Sequence, residues 1–167
     1  MAEISLARID SRLIHGQVLI MWTKIFPSKR ILIVDDGIAN DPFMFKIFKM
    51  AAPPNMKLEV LTAKQAAQKW QENRLGSVGP VFVLFKSVPA MYQAYQEGFA
   101  FDQLQLGGIG GGTGRIPVVA GNISLDEEDA KKLGELHQKG VSITLQVTPD
   151  TACYDWPSVK QKYFPSI

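Results

Sequence analysis

Short apolar runs alternate along the chain with stretches in which apolar residues recur every three or four positions. Several of the apolar runs are continuous, as expected for strands that are covered on both faces of a sheet. The intervening stretches have the period of amphipathic helices. The pattern predicts seven strands, at 4–9, 30–35, 57–62, 80–86, 101–106, 116–121 and 142–147.

The stretches between the strands carry residues that start and stop helices. Serine, threonine and aspartate accept hydrogen bonds from the first free N–H groups of a helix, and glycine adopts the backbone conformation that ends one. We predict N-caps at Asp41 (followed by Pro42), Thr62 and Ser87, a capping box of Ser124 with Glu127, stops at Gly98 and Gly140, and a short helix over 156–163.

Strand–helix–strand repetition requires crossover connections, which produce parallel strands. We therefore expect residues 1–167 to form a single α/β domain, a mostly parallel open sheet of about seven strands with helices on both faces. Ligands of such sheets bind at the carboxyl ends of the strands. The loop after the first strand, from Arg8 to His15, is the first place to look for a site.

Composition and charge exclude several classes of protein. The 167 residues carry a formal net charge of +2, which is too balanced for a typical nucleic-acid binder. Cys153 is the only cysteine, so no disulfide can form within the chain. No apolar run approaches the length of a membrane span, and the N-terminus lacks the apolar core of a signal peptide. We expect a soluble cytoplasmic protein.

The loop after the first strand combines a histidine with two arginines. His15 lies where a helix begins, so that free N–H groups and the positive end of the helix dipole favour an anion there. Arg8 and Arg12 add planar donors suited to phosphate oxygens. A neutral imidazole is nucleophilic and can hold a phosphoryl group. The alternative is that His15 bonds a nearby backbone group and that both arginines are solvated surface charges.

Other motifs give weaker signals. The glycine-rich segment 106–115 matches neither GxGxxG nor the Walker pattern, which leaves a flexible turn or a loop whose backbone closes over the site. No nucleophile elbow surrounds Ser11. The two histidines and one cysteine are too far apart for a metal cluster, so no metal or cofactor is expected. His137 falls late in an amphipathic helix and is expected at the surface.

Three aspartates close to the predicted strand ends have two interpretations. Asp35 and Asp36 follow the second strand, and one of them could orient the imidazole of His15 and select its tautomer. They could equally cap their own loop. Asp10 carries the same ambiguity.

The segment LARIDSRLIHGQVLIMWTK (6–24) closely resembles the signature of the IIB component of the mannose–fructose–sorbose family of the bacterial sugar phosphotransferase system. The glycine pair after the fifth strand and three further segments are also similar to that family. These segments are VDDGIANDP (34–42), AAPPNMKLEV (51–60) and ISLDEEDAKKLGELHQKGVSI (123–143).

The resemblance implies that His15 accepts a phosphoryl group from a phosphorylated IIA protein or domain. His15 would then pass it to an imported hexose or amino sugar at the membrane components IIC and IID, with which the chain would associate peripherally. Arg12 and Arg8 would contact the phosphate. A homodimer is left open. The resemblance covers essentially the whole chain, and the residues around His15 that could orient it or shape its loop are Asp10, Ser11, Gly16, Asp35 and Asp36.

Two departures from the family pattern affect the surroundings of His15. Ser11 stands where the family usually has a second aspartate, and Gln105 and Leu106 replace an Asn-Val pair before a loop that is richer in glycine than usual. A non-catalytic regulatory or ligand-binding α/β module and a nucleotide-dependent enzyme remain as alternatives. Incorporation of phosphate at His15 would separate the first from a relay protein, and nucleotide binding would reveal the second.

Overall fold

The computed structural model describes residues 1–167 and contains nine strands and seven helices. The strands are β1 (Ile4–Ile9), β2 (Arg30–Val34), β3 (Lys57–Leu61), β4 (Val81–Phe85), β5 (Gln103–Leu106), β6 (Ile116–Val119), β7 (Ile123–Leu125), β8 (Ser142–Leu145) and β9 (Tyr154–Asp155). The helices are α1 (Gly16–Ile25), α2 (Asp36–Ala39), α3 (Pro42–Ala51), α4 (Ala63–Asn73), α5 (Val88–Glu97), α6 (Glu127–Gln138) and α7 (Trp156–Tyr163).

Seven of the strands form one sheet in the order β3-β2-β4-β1-β5-β8-β9. All pairs in it are parallel except β8 with β9 at one edge. The central strands are the most apolar, and every residue of β4 (VFVLF) is buried. The predicted fold class, a mostly parallel sheet within a single α/β domain, is confirmed.

The two faces of the sheet bury very different amounts of apolar surface. One face packs against α4, α5, α6 and α7 in a cluster of 33 buried hydrophobic residues. The other face packs against α1 and α3 in a cluster of only 10. Residues of β4 alternate between the two clusters, with Val83 in the larger and Leu84 in the smaller. No helix has both the length and the apolar character needed to cross a membrane.

One predicted strand belongs to a different sheet. The segment 116–121 is extended, but β6 pairs antiparallel with β7 in a separate two-stranded sheet. The seventh strand of the main sheet is instead β9, which the apolar pattern did not predict because it is only two residues long. Sequence alternation detects an extended segment but not its pairing partner.

Most predicted helix caps are confirmed. The side chains of Asp41, Thr62 and Ser87 all accept hydrogen bonds from the first turns of their helices, and Thr62 forms a reciprocal capping box with Gln65. The predicted stops at Gly98 and Gly140 have positive φ, of 113° and 97°. The last helix spans 156–163 as predicted.

The prediction of a capping box formed by Ser124 and Glu127 is wrong. Ser124 lies inside β7, where its backbone pairs with β6, so it cannot start a helix. The box is formed two residues later by Asp126 and Asp129. Both spacings satisfy the same local pattern, and the strand pairing decides between them.

The carboxyl ends of four neighbouring strands, β4, β1, β5 and β8, bring the segments that follow them together. Ile9, the last residue of β1, pairs with Phe85 on one side and Leu106 on the other. Leu106 in turn pairs with Leu145. The segments that follow these residues therefore leave the sheet next to one another, and the loop 10–15 lies among them.

Candidate active site

His15 is the N-cap of α1, and α1 is the only helix whose N-terminal N–H groups are not capped by a side chain. The other six helices each begin with an aspartate, serine or threonine whose side chain accepts a backbone N–H. At α1 the N-cap is His15, and its side chain makes no such bond. Helix N–H groups without a partner attract anions, as does the positive end of the dipole. The start of α1 is therefore the helix terminus in this fold that is left open to an anion.

The loop that leads to His15 has an unusual backbone. Leu13 has a φ of 56° although it is not glycine, and Gly16 has a φ of 37°. Leu13 is buried in the smaller apolar cluster, which holds it in this left-handed conformation. Burial of Leu13 and Ile14 fixes the loop to the sheet and leaves His15 at its outer side, half-buried.

Arg12 is the cation closest to the imidazole. Its Nη1 lies 3.2 Å from Nε2 of His15, and its side chain is 47% exposed. The backbone N–H of Arg12 donates to Oδ1 of Asp10 at 3.0 Å, and its Nε lies 3.5 Å from the same oxygen. Because arginine can only donate, Nε2 of His15 is the acceptor in the contact with Nη1, which in the neutral ring places the proton on Nδ1. Arg12 is thus fixed at its base and exposed at its tip.

Arg8 lies under the loop and not on its exposed side. It is 2% exposed, and its Nη1 donates to the side-chain oxygen of Gln105 and to the carbonyl of Gln146 at 2.9 Å. Its Nη2 donates to the carbonyl of Val147 at 2.7 Å. Contact between Arg8 and a phosphate on His15, as the sequence predicted, would require these bonds to be broken. The structure instead gives Arg8 a supporting position.

Burial governs the electrostatics of Arg8. Desolvation lowers the pKa of Arg8 to about 10, and the nearby carboxylate of Asp10 opposes that shift. The guanidinium therefore remains charged at neutral pH. Its Nη2 lies 3.6 Å from Oδ2 of Asp10, so the buried carboxylate stands between Arg8 and Arg12.

Trp22 supports the loop from beneath. The guanidinium carbon of Arg8 lies 5.0 Å from the centre of the Trp22 ring. The indole N–H of Trp22 donates to the carbonyl of Val147 at 3.2 Å. The side chain of Trp22 is buried and lines a small cavity together with His15. The ring atom Nδ1 of His15 is buried without a hydrogen-bond partner.

The start of the glycine-rich segment packs directly on the arginines. The N–H of Gly107 donates to the carbonyl of Ile9 at 2.7 Å, and the carbonyl of Gly108 accepts from the N–H of Ser11 at 2.8 Å. A methyl group at residue 107 would overlap the guanidinium of Arg8, and one at residue 108 would lie 3.2 Å from Nη2 of Arg12. Of the two alternatives for this segment, the structure favours a backbone that closes against the site.

Arg115, which the sequence analysis missed, holds the far side of that segment. Its Nε donates to the carbonyl of Gly110 at 3.1 Å, and its Nη2 donates to the carbonyl of Ser124 at 2.8 Å. It also pairs with Asp126 at 3.0 Å and with Asp129 at 2.8 Å. Burial raises the pKa of the Asp129 carboxyl, and so does the charge of Asp126, while Arg115 acts in the opposite direction. No local motif marks Arg115, because its partners come from three separate elements.

The aspartates after β2 have structural roles away from His15. Oδ1 of Asp35 accepts from the N–H of Ile38 at 3.0 Å and caps α2. Asp36 accepts from the N–H of Ala63 at 2.8 Å and from the side-chain amide of Gln93 at 3.0 Å. Neither is hydrogen-bonded to His15. The capping alternative is the one that the structure favours for Asp35, whereas Asp36 connects its loop to the start of α4 and to α5. Ser11 is exposed, and its hydroxyl donates to the carbonyl of Gly108 at 3.2 Å. His137 is exposed in the last turn of α6.

This arrangement suits the temporary holding of an anion. A nucleophilic ring, an open helix terminus and a half-exposed guanidinium meet at one edge of the sheet, and a buried charge network fixes their positions. Phosphoryl transfer depends mainly on positioning and on electrostatic stabilisation of the moving group. The fold and site therefore define a parallel α/β domain with a histidine in an anion-binding loop.

Comparison with known proteins places the chain in a family. The protein-family model for the sorbose-subfamily IIB component of the phosphotransferase system matches residues 4–164. The sorbose-specific EIIB component of Klebsiella pneumoniae is 33% identical over 145 residues, covering 87% of each chain. The fructose-specific EIIB component of Bacillus subtilis is 30% identical over 159 residues, covering 95% of this chain and 96% of the other.

Solved structures of similar proteins have the same fold as this chain. The crystal structure of manxB from Thermoanaerobacter tengcongensis superposes with a TM-score of 0.91 at 38% identity and covers 99% of each chain. The IIBSor domain of the Klebsiella pneumoniae sorbose permease gives a TM-score of 0.87 at 30% identity, covering 96% of this chain and 98% of that one. The chain belongs to the sorbose-subfamily IIB components of the phosphotransferase system. Members of this family are phosphocarriers and sugar phosphotransferases, and they work with IIA and with membrane IIC and IID components.

The packing of Gly107 against Arg8 generates a prediction about stability. Gly107→Ala should lower the free energy of unfolding by about 1–3 kcal/mol, because the methyl group must displace a buried, fully bonded guanidinium. Gly110→Ala is a matched control, since a methyl group there meets nothing within 4 Å and neither glycine has a positive φ. Urea denaturation measures both variants. Equal stability of the two would show that Arg8 can move freely and does not fix the loop.

Proposed function

We propose that His15 is the residue that carries the phosphoryl group between a phosphorylated IIA protein and the sugar. The observation that carries the proposal is the position of His15 at the uncapped N-terminus of α1, with Arg12 at 3.2 Å from its ring. An isolated surface histidine would have neither a free helix terminus nor a fixed cation beside it. The alternative of a non-catalytic regulatory module gives no reason for this combination.

The reaction proceeds in two displacements at phosphorus. A lone pair of the His15 imidazole attacks the phosphoryl group of the donor, the P–N bond of the donor histidine breaks, and a P–N bond to His15 forms. In the second displacement a sugar hydroxyl oxygen attacks the same phosphorus, the P–N bond to His15 breaks, and the hydroxyl proton passes to solvent. The chain ends as it began, and its role is to hold a reactive anion between two encounters.

Each residue of the site has a distinct part in this proposal. Arg12 donates to the phosphoryl oxygens, and the free N–H groups of Gly16, Gln17 and Val18 provide further donors. Arg8 and Asp10 act indirectly, because the buried carboxylate holds the base of Arg12 and the buried guanidinium holds the carboxylate. No bound metal or nucleotide is assigned a part.

The donor and acceptor follow from the family. The mannose-specific relative of Escherichia coli is named an EIIAB component, and this chain matches 44% of its length. We assign a separate or fused IIA as the donor and membrane IIC and IID components, approached from the cytoplasm, as the site of sugar transfer. The relatives are named for sorbose, fructose, mannose and N-acetylgalactosamine, so we propose a hexose or amino sugar without choosing one.

Labelling identifies the phosphorylated residue. The protein is incubated with labelled phosphoenolpyruvate, the general phosphotransferase proteins and a family IIA. His15→Ala should abolish incorporation, whereas His137→Ala, which removes the other histidine, should leave it intact. The label should be labile in acid and stable in base, as expected for a P–N bond. Label that persists in a folded His15→Ala protein would overturn the proposal.

Arg12 should contribute to the rate and not to the fold. Arg12→Ala removes a charge-assisted hydrogen bond worth about 1.5–3 kcal/mol, which slows single-turnover transfer from phospho-IIA roughly tenfold to a hundredfold. Arg12→Lys should recover only part of the loss, because an ammonium cannot offer two parallel donors. Circular dichroism should be unchanged, since the side chain is half exposed. Transfer at the wild-type rate by the Arg12→Ala protein would show that Arg12 does not bind the phosphoryl group.

A further inference from the structure

Helix α3 exposes a continuous apolar stripe. Phe43 is 70% exposed and Met50 is 86% exposed, with Ile47 between them, so that the three lie at the spacing of one helix face. No residue of α3 is fully buried, although most of its sequence (PFMFKIFKMA) is apolar. The stripe is about 10 Å long. Isolated exposed hydrophobic residues are ordinary, but an aligned set on one helix marks an interaction surface.

The stripe is part of a larger asymmetry between the faces of the sheet. Nine large hydrophobic side chains are exposed in the whole chain, and five of them lie on α1 and α3. Both helices pack on the smaller apolar cluster, and therefore on the same face. We call the exposed side of these two helices the α1–α3 face, defined by Ile20, Ile25, Phe43, Ile47 and Met50.

The α1–α3 face is also basic. Lys24, Lys46 and Lys49 are exposed on it and form no ion pair, and neither helix contains an acidic residue. The helices of the opposite face carry both signs of charge, since α6 begins with three consecutive acidic residues while α4, α6 and α7 also contain lysines. Apolar contacts bordered by one sign of charge provide affinity at the centre and steering at the rim.

The same face is continuous with the site. Helix α1 follows β1, and α3 follows β2 after the short helix α2, so both begin towards the carboxyl edge of the sheet where His15 lies. Phe43, the first residue of the stripe, lies in the first turn of α3 and hence near that edge. A protein that brings its own reactive group to His15 can rest on this face.

We propose that the α1–α3 face is the docking surface for the phosphorylated donor protein, which rests on the function proposed for His15. The choice between donor and acceptor follows from charge. The donor arrives with the anionic phosphoryl group, whereas in the second step this chain carries that anion to the sugar. A basic face therefore favours the encounter in which the partner is the more negative protein. The donor surface that fits it is apolar and bordered by carboxylates.

The apolar part is tested by the double variant Phe43→Gln/Met50→Gln. The KM for phospho-IIA should rise about tenfold or more, as for loss of a central apolar contact, while the maximal single-turnover rate changes less than twofold. Val78→Gln is the matched control, because Val78 is 56% exposed and lies in the loop that enters β4, at the opposite edge of the sheet. All three side chains are exposed, so urea denaturation should show equal stability.

The charge of the face is tested separately. Lys46→Gln/Lys49→Gln should lower the association rate with phospho-IIA and flatten its dependence on salt. Lys64→Gln, an exposed and unpaired lysine of α4 on the opposite face, should change neither.

Binding of unphosphorylated IIA to His15→Ala protein, followed by calorimetry, separates this inference from the proposed function. That affinity should still fall in the Phe43→Gln/Met50→Gln background, even where no phosphate can be carried. An unchanged KM and affinity would overturn the inference. So would a defect confined to the transfer from this chain to the sugar, which would assign the face to the membrane components. A wild-type dimer that dissociates in the double variant would assign it to a second copy of the chain.

Discussion

A buried guanidinium must be hydrogen-bonded, and the arrangement of this site follows from how Arg8 meets that requirement. Its acceptors are the side chain of Gln105 and the carbonyls of Gln146 and Val147, with the carboxylate of Asp10 at 3.6 Å. Arg8 lies in β1 and Asp10 follows it, while Gln105 lies in β5 and the two carbonyls follow β8, so one side chain connects the ends of three strands. Removal of one partner of a buried ion pair typically costs about 3–5 kcal/mol, because the other charge is left uncompensated. The loop above Arg8 is rigid for this reason.

The residues around Arg8 hold one another in position, from the buried guanidinium outward to His15. Asp10, buried beside Arg8, accepts the backbone N–H of Arg12 and thereby holds the exposed guanidinium next to His15. Gly107 and Gly108 allow the neighbouring chain to approach both arginines, and Arg115 holds the far side of that segment through the carbonyl of Gly110. The uncapped start of α1 completes the surroundings of the ring. A relay protein needs such rigidity beneath the histidine and openness above it, because two different partners must reach the same atom in turn.

Local sequence signals predicted the features that depend on local chemistry. The caps at Asp41, Thr62 and Ser87 and the position of His15 at a helix start are set by a few neighbouring residues. The capping box at Ser124 failed because pairing with β6 is a long-range effect that overrides a short motif. Arg8 and Arg12 looked equivalent, four residues apart, yet one lies within a strand and is buried. Its hydrogen-bond acceptors, Gln105, Gln146 and Val147, lie 97 to 139 residues away along the chain. Arg115 was missed for a different reason, because its partners lie only 5 to 14 residues away but belong to separate elements and form no local motif. The sequence also did not predict that one face of the sheet buries fewer hydrophobic residues, because the composition of α3 is that of an ordinary core helix.

The central claim is that the phosphoryl group lies on His15 at the open N-terminus of α1. Amide spectra of 15N-labelled protein, recorded before and after phosphorylation by phospho-IIA, test it most directly. The account predicts that the largest amide shifts fall on Gly16, Gln17 and Val18, together with a shift of the Arg12 side-chain Nε–H. The starts of the six capped helices should be nearly unaffected. Shifts centred on a capped helix start, or on segment 110–114 with the start of α1 unchanged, would contradict the account.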